Sequence, residues 1–156
     1  MGITASVFAL FDRDYRCRSE LDKLAGGLAA TGIKCQVWEC KEIENYALSV
    51  AAIHRVVTKK SNAAGGTRTI SQVSEDLMSI TEPYGEYVRK QCLEHSRAHY
   101  KGATGDAETN DRLSKWETLE GRLEIGPGKK IVHDMCGYYK SNFNISLSLY
   151  AIIDEL

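Results

Sequence analysis

The chain has 156 residues, a length typical of one domain with a hydrophobic core of its own. Lysine and arginine number 20 and aspartate and glutamate 21, so the formal net charge is −1 and any basic surface has to be local. Apolar residues make up 43% of the chain, which excludes a disordered protein, and no apolar run reaches the roughly 20 residues that cross a bilayer.

The cysteines favour a reducing environment. None of them forms a C-x-x-C pair, so a structural zinc site is not supported. The N-terminus has no basic region before its apolar run, unlike a secretory signal peptide. We therefore expect a cytoplasmic protein with reduced thiols at Cys17, Cys35, Cys40, Cys92 and Cys136.

The first 40 residues predict a strand, a helix and a second strand. Residues 3–11 form a continuous apolar run, typical of a strand that is buried on both faces. Residues 18–30 carry leucines at helical spacing, and Gly32 is a predicted helix stop. Residues 34–40 predict the second strand. Such a βαβ unit has parallel strands, and ligands gather at their carboxyl ends.

The rest of the chain is predicted to be mainly helical. The predicted helices span residues 45–57, 70–100 with a break at Pro83, 111–120, 129–139 and 146–156, the last with a serine cap. The predicted loops span residues 59–68 and 101–108, and residues 123–128 predict a short strand and turn.

Acidic residues follow both predicted strands. Asp12 and Asp14 come directly after the first, and Glu42 and Glu44 come after the second. Carboxylates at one sheet edge are ligands that Mg²⁺ or Mn²⁺ prefers, with phosphate and water completing the shell. Two structural alternatives stay open: D-x-D as a solvated turn that caps a helix, and Glu44 as a partner of a helix dipole.

A glycine-containing turn, Gly126–Lys130, precedes a predicted helix. It is not a Walker A sequence, but backbone N–H groups at a helix N-terminus bind phosphate, and Lys129 would stabilise charge on a scissile phosphate. The alternative is a plain turn with solvated lysines. Further basic side chains predict a local patch for a polyanion, unless they are scattered over the surface: Arg13, Arg16, Arg18, Lys59, Lys60, Arg68 and Lys130.

These motifs in this order (a strand with D-R-D, then E-x-E-N-Y, then P-G-K) resemble the later part of a TOPRIM domain. The similar family is the overcoming-lysogenization-defect (OLD) nucleases, which are linked to ABC-type ATPases in phage defence. The resemblance implies an α/β fold with a partial, Rossmann-like parallel sheet flanked by helices. Residues 1–58 and 116–156 would form the TOPRIM core, and residues 59–115 would form a helical insertion.

The resemblance also implies a function, a metal-dependent nuclease that cleaves phosphodiesters of nucleic acid, with DNA as the expected partner. Asp12, Asp14 and Glu44 would bind Mg²⁺ or Mn²⁺ with Glu42 as a neighbouring ligand, and Lys129 would lie near the scissile phosphate. TOPRIM domains have a further strand and a glutamate turn upstream, for which eleven residues before Asp12 leave no room. We therefore expect a piece or subunit of an ATPase–nuclease, with the ATPase in cis or in trans.

A second interpretation is a non-catalytic interaction or dimerisation module that keeps the TOPRIM scaffold. Residues 70–100 would then be the contact surface, with Tyr84, Tyr87, Val88 and Leu93 packing against a partner such as a second copy. A nucleotide-binding α/β domain is disfavoured, because no glycine-rich loop follows the first strand.

Overall fold

The computed structural model describes residues 7–16, 18–61, 67–99 and 103–156 and, for residues 99, 103–106 and 108, the backbone alone. The described part is a mixed α/β fold, mostly helical, with a small parallel sheet. Strands β1 (Phe8–Phe11) and β2 (Lys34–Val37) pair in parallel, with Phe8 opposite Lys34. Helix α1 (Arg18–Ala30) connects them, and Gly32 follows it at a φ of +79°. The predicted βαβ unit and helix stop are therefore confirmed.

Strand β1 differs from its prediction in burial. Its side chains alternate along the strand: Phe8 is 63% exposed and Leu10 50% exposed, whereas Ala9 and Phe11 are half-buried. In the described part of the chain only β2 pairs with β1. The face of β1 that carries Phe8 and Leu10 meets solvent. The prediction of a strand buried on both faces was wrong, and residues 3–6 of the predicted strand lie outside the described residues.

The remaining described elements are helical. They are α2 (Val50–Ser61), α3 (Ile70–Thr81), α4 (Gly85–His99), α5 (Ala103–Ser114), α6 (Leu119–Ile125), α7 (Gly128–Phe143) and α8 (Leu149–Ile153). Short 3-10 turns at Ile43–Ala47, Glu82–Tyr84 and Lys115–Glu117 precede α2, α4 and α6. The predicted break at Pro83 and the helix that begins near Lys129 are confirmed.

Several predicted boundaries were wrong. Helix α2 starts at Val50 rather than at residue 45 and continues into the predicted basic loop, of which residues 62–66 lie outside the described residues. Residues 103–108 belong to α5 rather than to a loop. The terminal helix is short, and Ser148 caps it by accepting the Ala151 N–H at 3.2 Å.

The strand predicted at residues 123–128 is instead the end of α6 and the turn after it. The Thr118 hydroxyl caps this helix by accepting the Gly121 N–H at 3.1 Å. Leu123 and Ile125 are buried from the helix, so the short apolar run fills the core without forming a strand. Short apolar runs fit both kinds of element, and tertiary packing decides between them.

The main core joins segments that are distant in the sequence. Ile53 of α2, Leu77 of α3, Ile131 and Tyr139 of α7 and Ile152 of α8 are all completely buried in one cluster. Helix α3 belongs to the predicted insertion, yet it packs directly on both predicted core segments. A smaller buried cluster joins Tyr15 of the loop after β1 to Val88 and Cys92 of α4 and Ile125 of α6.

Candidate acidic site at the carboxyl ends of the strands

The loops that follow β1 and β2 contact each other at one edge of the sheet. The Asp14 N–H donates to the Lys41 carbonyl at 3.1 Å, and the Lys41 N–H donates to the Glu124 carbonyl at 2.9 Å. Asp14 adopts a left-handed conformation (φ +51°), which aspartate tolerates better than most residues. The two predicted acidic segments therefore contact each other through their backbones. The end of α6 joins them through the hydrogen bond from Lys41 to Glu124.

Asn45 connects the E-x-E-N-Y segment to the segment that precedes α7. Its side chain is buried, and its Oδ1 accepts the Glu42 N–H at 2.9 Å. Its Nδ2 donates to the Leu123 carbonyl at 2.6 Å and to the Gly126 carbonyl at 3.1 Å. One buried amide thus satisfies three backbone groups from two distant parts of the chain.

Gly128 has a packing role beside Asn45. A Cβ atom at this position would lie 2.6 Å from Asn45 Oδ1 and 3.0 Å from its Cγ. Only glycine allows α7 to begin this close to the buried amide. Neither phosphate binding nor a plain turn, the two roles predicted from the sequence for this turn, requires this contact.

Glu42 caps α7. Its Oε2 accepts the Lys129 N–H at 3.1 Å, and its other oxygen bonds to the Lys41 ammonium. Burial alone raises the pKa of Glu42, but the hydrogen bonds from Lys41 and from the Lys129 N–H outweigh it and lower the pKa below its ordinary value. Glu42 is therefore ionised at neutral pH and stabilises the positive end of the α7 dipole.

Glu44 has unused acceptor capacity. Its Oε1 lies 3.9 Å from the Lys129 ammonium, while its Oε2 is buried and has no hydrogen-bond partner. A buried carboxylate oxygen without a partner is uncommon and indicates a place for a bound water or ion. Among the acidic residues predicted for the site, Glu44 is thus the one with a buried carboxylate oxygen that no hydrogen bond satisfies.

Asp14 is the more exposed member of the D-R-D pair, with 53% of its side chain accessible. It pairs with Arg16 at 3.1 Å, and the same guanidinium donates to the Asp12 carbonyl at 3.0 Å. Surface ion pairs of this kind contribute little to stability, so Arg16 is not a strong competitor for a cation at Asp14.

The acidic residues do not form a preassembled metal cage. Among the described residues, no three acidic, histidine or cysteine side chains lie close enough to hold one metal ion. Mg²⁺, however, commonly uses one or two carboxylates and takes its other ligands from water and substrate phosphate. Glu44 has one unpartnered carboxylate oxygen and Asp14 has an exposed carboxylate, whereas both oxygens of Glu42 already have donors.

The basic residues predicted as one patch have partners in different parts of the fold. Lys59 bonds to Glu155 near the end of the chain. Arg68 pairs with buried Asp76 of α3. Lys60 donates to the Ser146 carbonyl at 2.6 Å, and the Lys130 ammonium lies 4.6 Å from the Tyr87 ring centroid. Arg13 donates to the Glu39 carbonyl at 2.8 Å, Arg16 pairs with Asp14, and Arg18 pairs with Asp22 at 3.3 Å. Of the predicted nucleic-acid contacts, Arg13 and Arg16 follow β1 directly, at the acidic edge.

No model of a known protein family matches this chain, and no curated protein or solved structure matches it either. The similarity to TOPRIM nucleases therefore depends on the quoted motifs and stays a prediction. None of the helices in the described ranges is both long and apolar enough to cross a membrane.

The cap formed by Glu42 gives a pH-dependent prediction. A lowered pKa in the folded state means that the stabilisation is present above the ordinary pKa of 4.5 and is lost as the pH falls through the folded value. We expect Glu42→Gln to destabilise the protein by about 1 kcal/mol at pH 7, and expect this difference to shrink below pH 4.5. Urea unfolding at pH 7 and pH 3 measures both quantities.

The matched control is Glu86→Gln, because Glu86 is an exposed glutamate in the first turn of α4. Its effect should be smaller at both pH values. A difference between Glu42→Gln and wild type that is the same at pH 7 and pH 3 contradicts the assignment of Glu42 as an ionised cap.

Proposed function

We propose that this chain is a metal-dependent nuclease module that cleaves nucleic-acid phosphodiesters. The observation that carries the proposal is the meeting of two motifs 87 residues apart: the Lys129 N–H contacts Glu42, and the Lys129 ammonium lies beside Glu44. A lysine next to an under-coordinated carboxylate, at the carboxyl ends of parallel strands, suits phosphoryl-transfer chemistry. The resemblance to OLD-family proteins suggests an ABC-type ATPase as the partner in antiphage defence.

The proposal gives each residue a separate role. Glu44, with Asp12 and Asp14, would hold Mg²⁺ or Mn²⁺, which when bound activates water and neutralises phosphate charge. Lys129 is placed to stabilise negative charge on the scissile phosphate. Glu42 and Asn45 are positioning residues, because they fix the start of α7 from which Lys129 projects.

The test combines Mn²⁺ binding with nicking of supercoiled plasmid DNA. We expect Glu44→Gln to weaken Mn²⁺ binding and to slow nicking about 100-fold, since it removes a metal ligand. Lys129→Met should slow nicking by a similar factor of about 100 without weakening Mn²⁺ binding, because it removes a donor to the transition state.

Glu86→Gln and Lys90→Met are the matched controls, since both residues lie on the exposed surface of α4. They should bind Mn²⁺ and nick DNA like wild type. Wild type that does not bind Mn²⁺, or a Glu44→Gln variant with unchanged Mn²⁺ affinity, contradicts the proposal. A Lys129→Met variant with the wild-type nicking rate contradicts the role of the lysine.

A second candidate function is an interaction module. The surface that supports it is not the predicted contact surface, residues 70–100, but another one. Within the predicted surface Val88 is completely buried, and Tyr84 donates to Asp134 at 2.5 Å, so both serve the fold of this chain. One group of exposed apolar side chains lies near the C-terminus: Tyr150 is 81%, Leu156 64% and Ile153 48% exposed. Ile153 and Leu156 line a pocket of about 250 Å³ together with Ile43, Tyr46 and Leu149.

This apolar surface predicts self-association, because monomers rarely leave such patches uncovered. We expect the mass measured by light scattering to rise towards that of a dimer with concentration, and Ile153→Lys to remain monomeric. Ile70→Lys is the matched control, since Ile70 is 50% exposed at the start of α3. A wild-type chain that stays monomeric at every concentration rules out the dimer.

A further inference from the structure

A second feature of the acidic edge is a pocket of about 300 Å³ beside the loop that follows β1. It lies between this loop, the start of α1, the loop after β2 and the segment from α5 to α6. Basic side chains come from each of these segments: Arg13, Arg18, Lys41, Arg112 and Lys115. Acidic side chains line it as well: Asp14, Glu39, Asp111 and Glu124. Ligands of α/β proteins bind outside the carboxyl ends of the strands, and this pocket has that position.

Lys41 makes the pocket unusual. Its side chain is only 8% exposed, and its ammonium lies 5.2 Å from the centroid of the Tyr15 ring. Lysine is rarely this buried unless a negative charge is nearby, and Glu42 supplies one through an ion pair. The ammonium of Lys41 is therefore held at the wall of the pocket by its ion pair with Glu42, which offsets much of its positive charge.

Glu124 shows how an anion sits in the pocket. Its Oε1 bonds to the Lys115 ammonium and lies 3.5 Å from the Arg13 guanidinium. Arg13 also donates to the carbonyl of Glu39 at 2.8 Å, so two acceptors fix the orientation of its guanidinium. The carboxylate of Glu124 thus occupies a position, between two cations, that a phosphate oxygen of a ligand would share or replace.

We propose that this pocket binds a phosphomonoester, carried by a mononucleotide or by the end of a single nucleic-acid strand, through Arg13 and Lys115. The volume of about 300 Å³ is at the lower end of the range for small-ligand sites and suits one nucleotide rather than a duplex. The assignment to a strand end rests on the proposed nuclease function, but phosphate binding does not. If it holds, the nuclease acts on strands with phosphorylated ends or is guided by them.

The test measures binding in EDTA, so that it does not depend on the metal site. A fluorescent oligonucleotide with a 5′-phosphate is compared with the same oligonucleotide with a 5′-hydroxyl. We expect wild type to bind the phosphorylated strand about tenfold more tightly. Arg13→Gln and Lys115→Met should remove this preference, and Glu124→Gln should increase it severalfold by removing the competing charge.

Lys90→Met and Glu94→Gln are the matched controls, because these exposed residues form an ion pair on α4 at 3.8 Å. Circular dichroism checks that every variant is folded. Equal affinity of wild type for both oligonucleotides, or a phosphate preference that survives both Arg13→Gln and Lys115→Met, overturns the proposal. A phosphate preference without nicking counts against the nuclease alone, and nicking without the preference counts against the pocket alone.

A competition experiment separates the two sources of the phosphate. If adenosine 5′-monophosphate displaces the phosphorylated strand at concentrations near the Kd of the mononucleotide itself, the pocket binds mononucleotides. Displacement by an unlabelled phosphorylated strand and not by the mononucleotide assigns it to strand ends. Glu124→Gln should tighten the binding of the ligand, mononucleotide or phosphorylated strand, that the competition identifies.

Discussion

Replacing Asn45 with alanine is expected to lower the free energy of unfolding by about 3 kcal/mol, measured by urea unfolding at pH 7. The substitution removes three hydrogen bonds of one buried amide. It leaves the Leu123 and Gly126 carbonyls without this donor in a place that water does not reach easily. Because the same amide joins the E-x-E-N-Y segment to the start of α7, nicking should be lost together with stability.

Asn142→Ala is the matched control for Asn45→Ala. Asn142 is exposed on α7 and donates one hydrogen bond to the Tyr138 carbonyl at 2.8 Å. Its replacement should cost less than about 0.5 kcal/mol, as usual for surface positions. Gly128→Ala should destabilise in the same direction as Asn45→Ala, because its Cβ would collide with the Asn45 amide. An Asn45→Ala variant as stable as Asn142→Ala would show that the two motifs are joined by other contacts.

The parts of the fold that follow periodic patterns could be predicted from the sequence. The apolar run before Asp12 and the leucines of α1 indicated the βαβ unit, and Pro83 indicated the boundary between α3 and α4. The polar residues 103–108 and the short run at residues 123–128 carry no decisive period. Their helical state depends on neighbours that the sequence does not reveal.

The sequence indicated that Glu42 and Glu44 follow β2 and that Lys129 starts a helix, and the structure brings Lys129 into contact with both glutamates. Their role in a metal site stays a prediction. The roles of Asn45 and Lys41 were not predictable, because a buried polar residue looks like a surface residue in a sequence. What distinguishes Asn45 is its hydrogen bonds to the Leu123 and Gly126 carbonyls, which lie 78 and 81 residues away in the sequence.

A second buried polar group, Asp76 of α3, fixes the other half of α7. The Asp76 residue is 4% exposed and accepts hydrogen bonds from the Tyr138 hydroxyl at 2.9 Å and the Tyr139 hydroxyl at 3.0 Å. It also pairs with Arg68, whose guanidinium lies 4.7 Å from the Phe143 ring centroid. Burial, and then the charge of Asp76, raise the pKa of Tyr139, so its hydroxyl keeps the proton that it donates.

We expect Asp76→Ala to lower the free energy of unfolding by about 4 kcal/mol, since it leaves a partly buried arginine and a buried tyrosine without their acceptor. Asp134→Ala is the matched control, because the exposed Asp134 also accepts a tyrosine hydroxyl, that of Tyr84. Its cost should stay below about 1 kcal/mol. Thermal and urea unfolding measure both variants, and a cost for Asp76→Ala no larger than for Asp134→Ala contradicts this role.

The double variant Asp76→Leu with Arg68→Met separates charge burial from packing. Removing both charges of a buried pair is often close to neutral, so part of the loss seen with Asp76→Ala should be recovered. Recovery should be incomplete, because the Tyr139 hydroxyl still has no acceptor. Since Asn45 and Glu42 hold only the start of α7, the double variant should keep Lys129 beside Glu44 and retain Mn²⁺ binding. Asn45→Ala, which frees that end of the helix, should not.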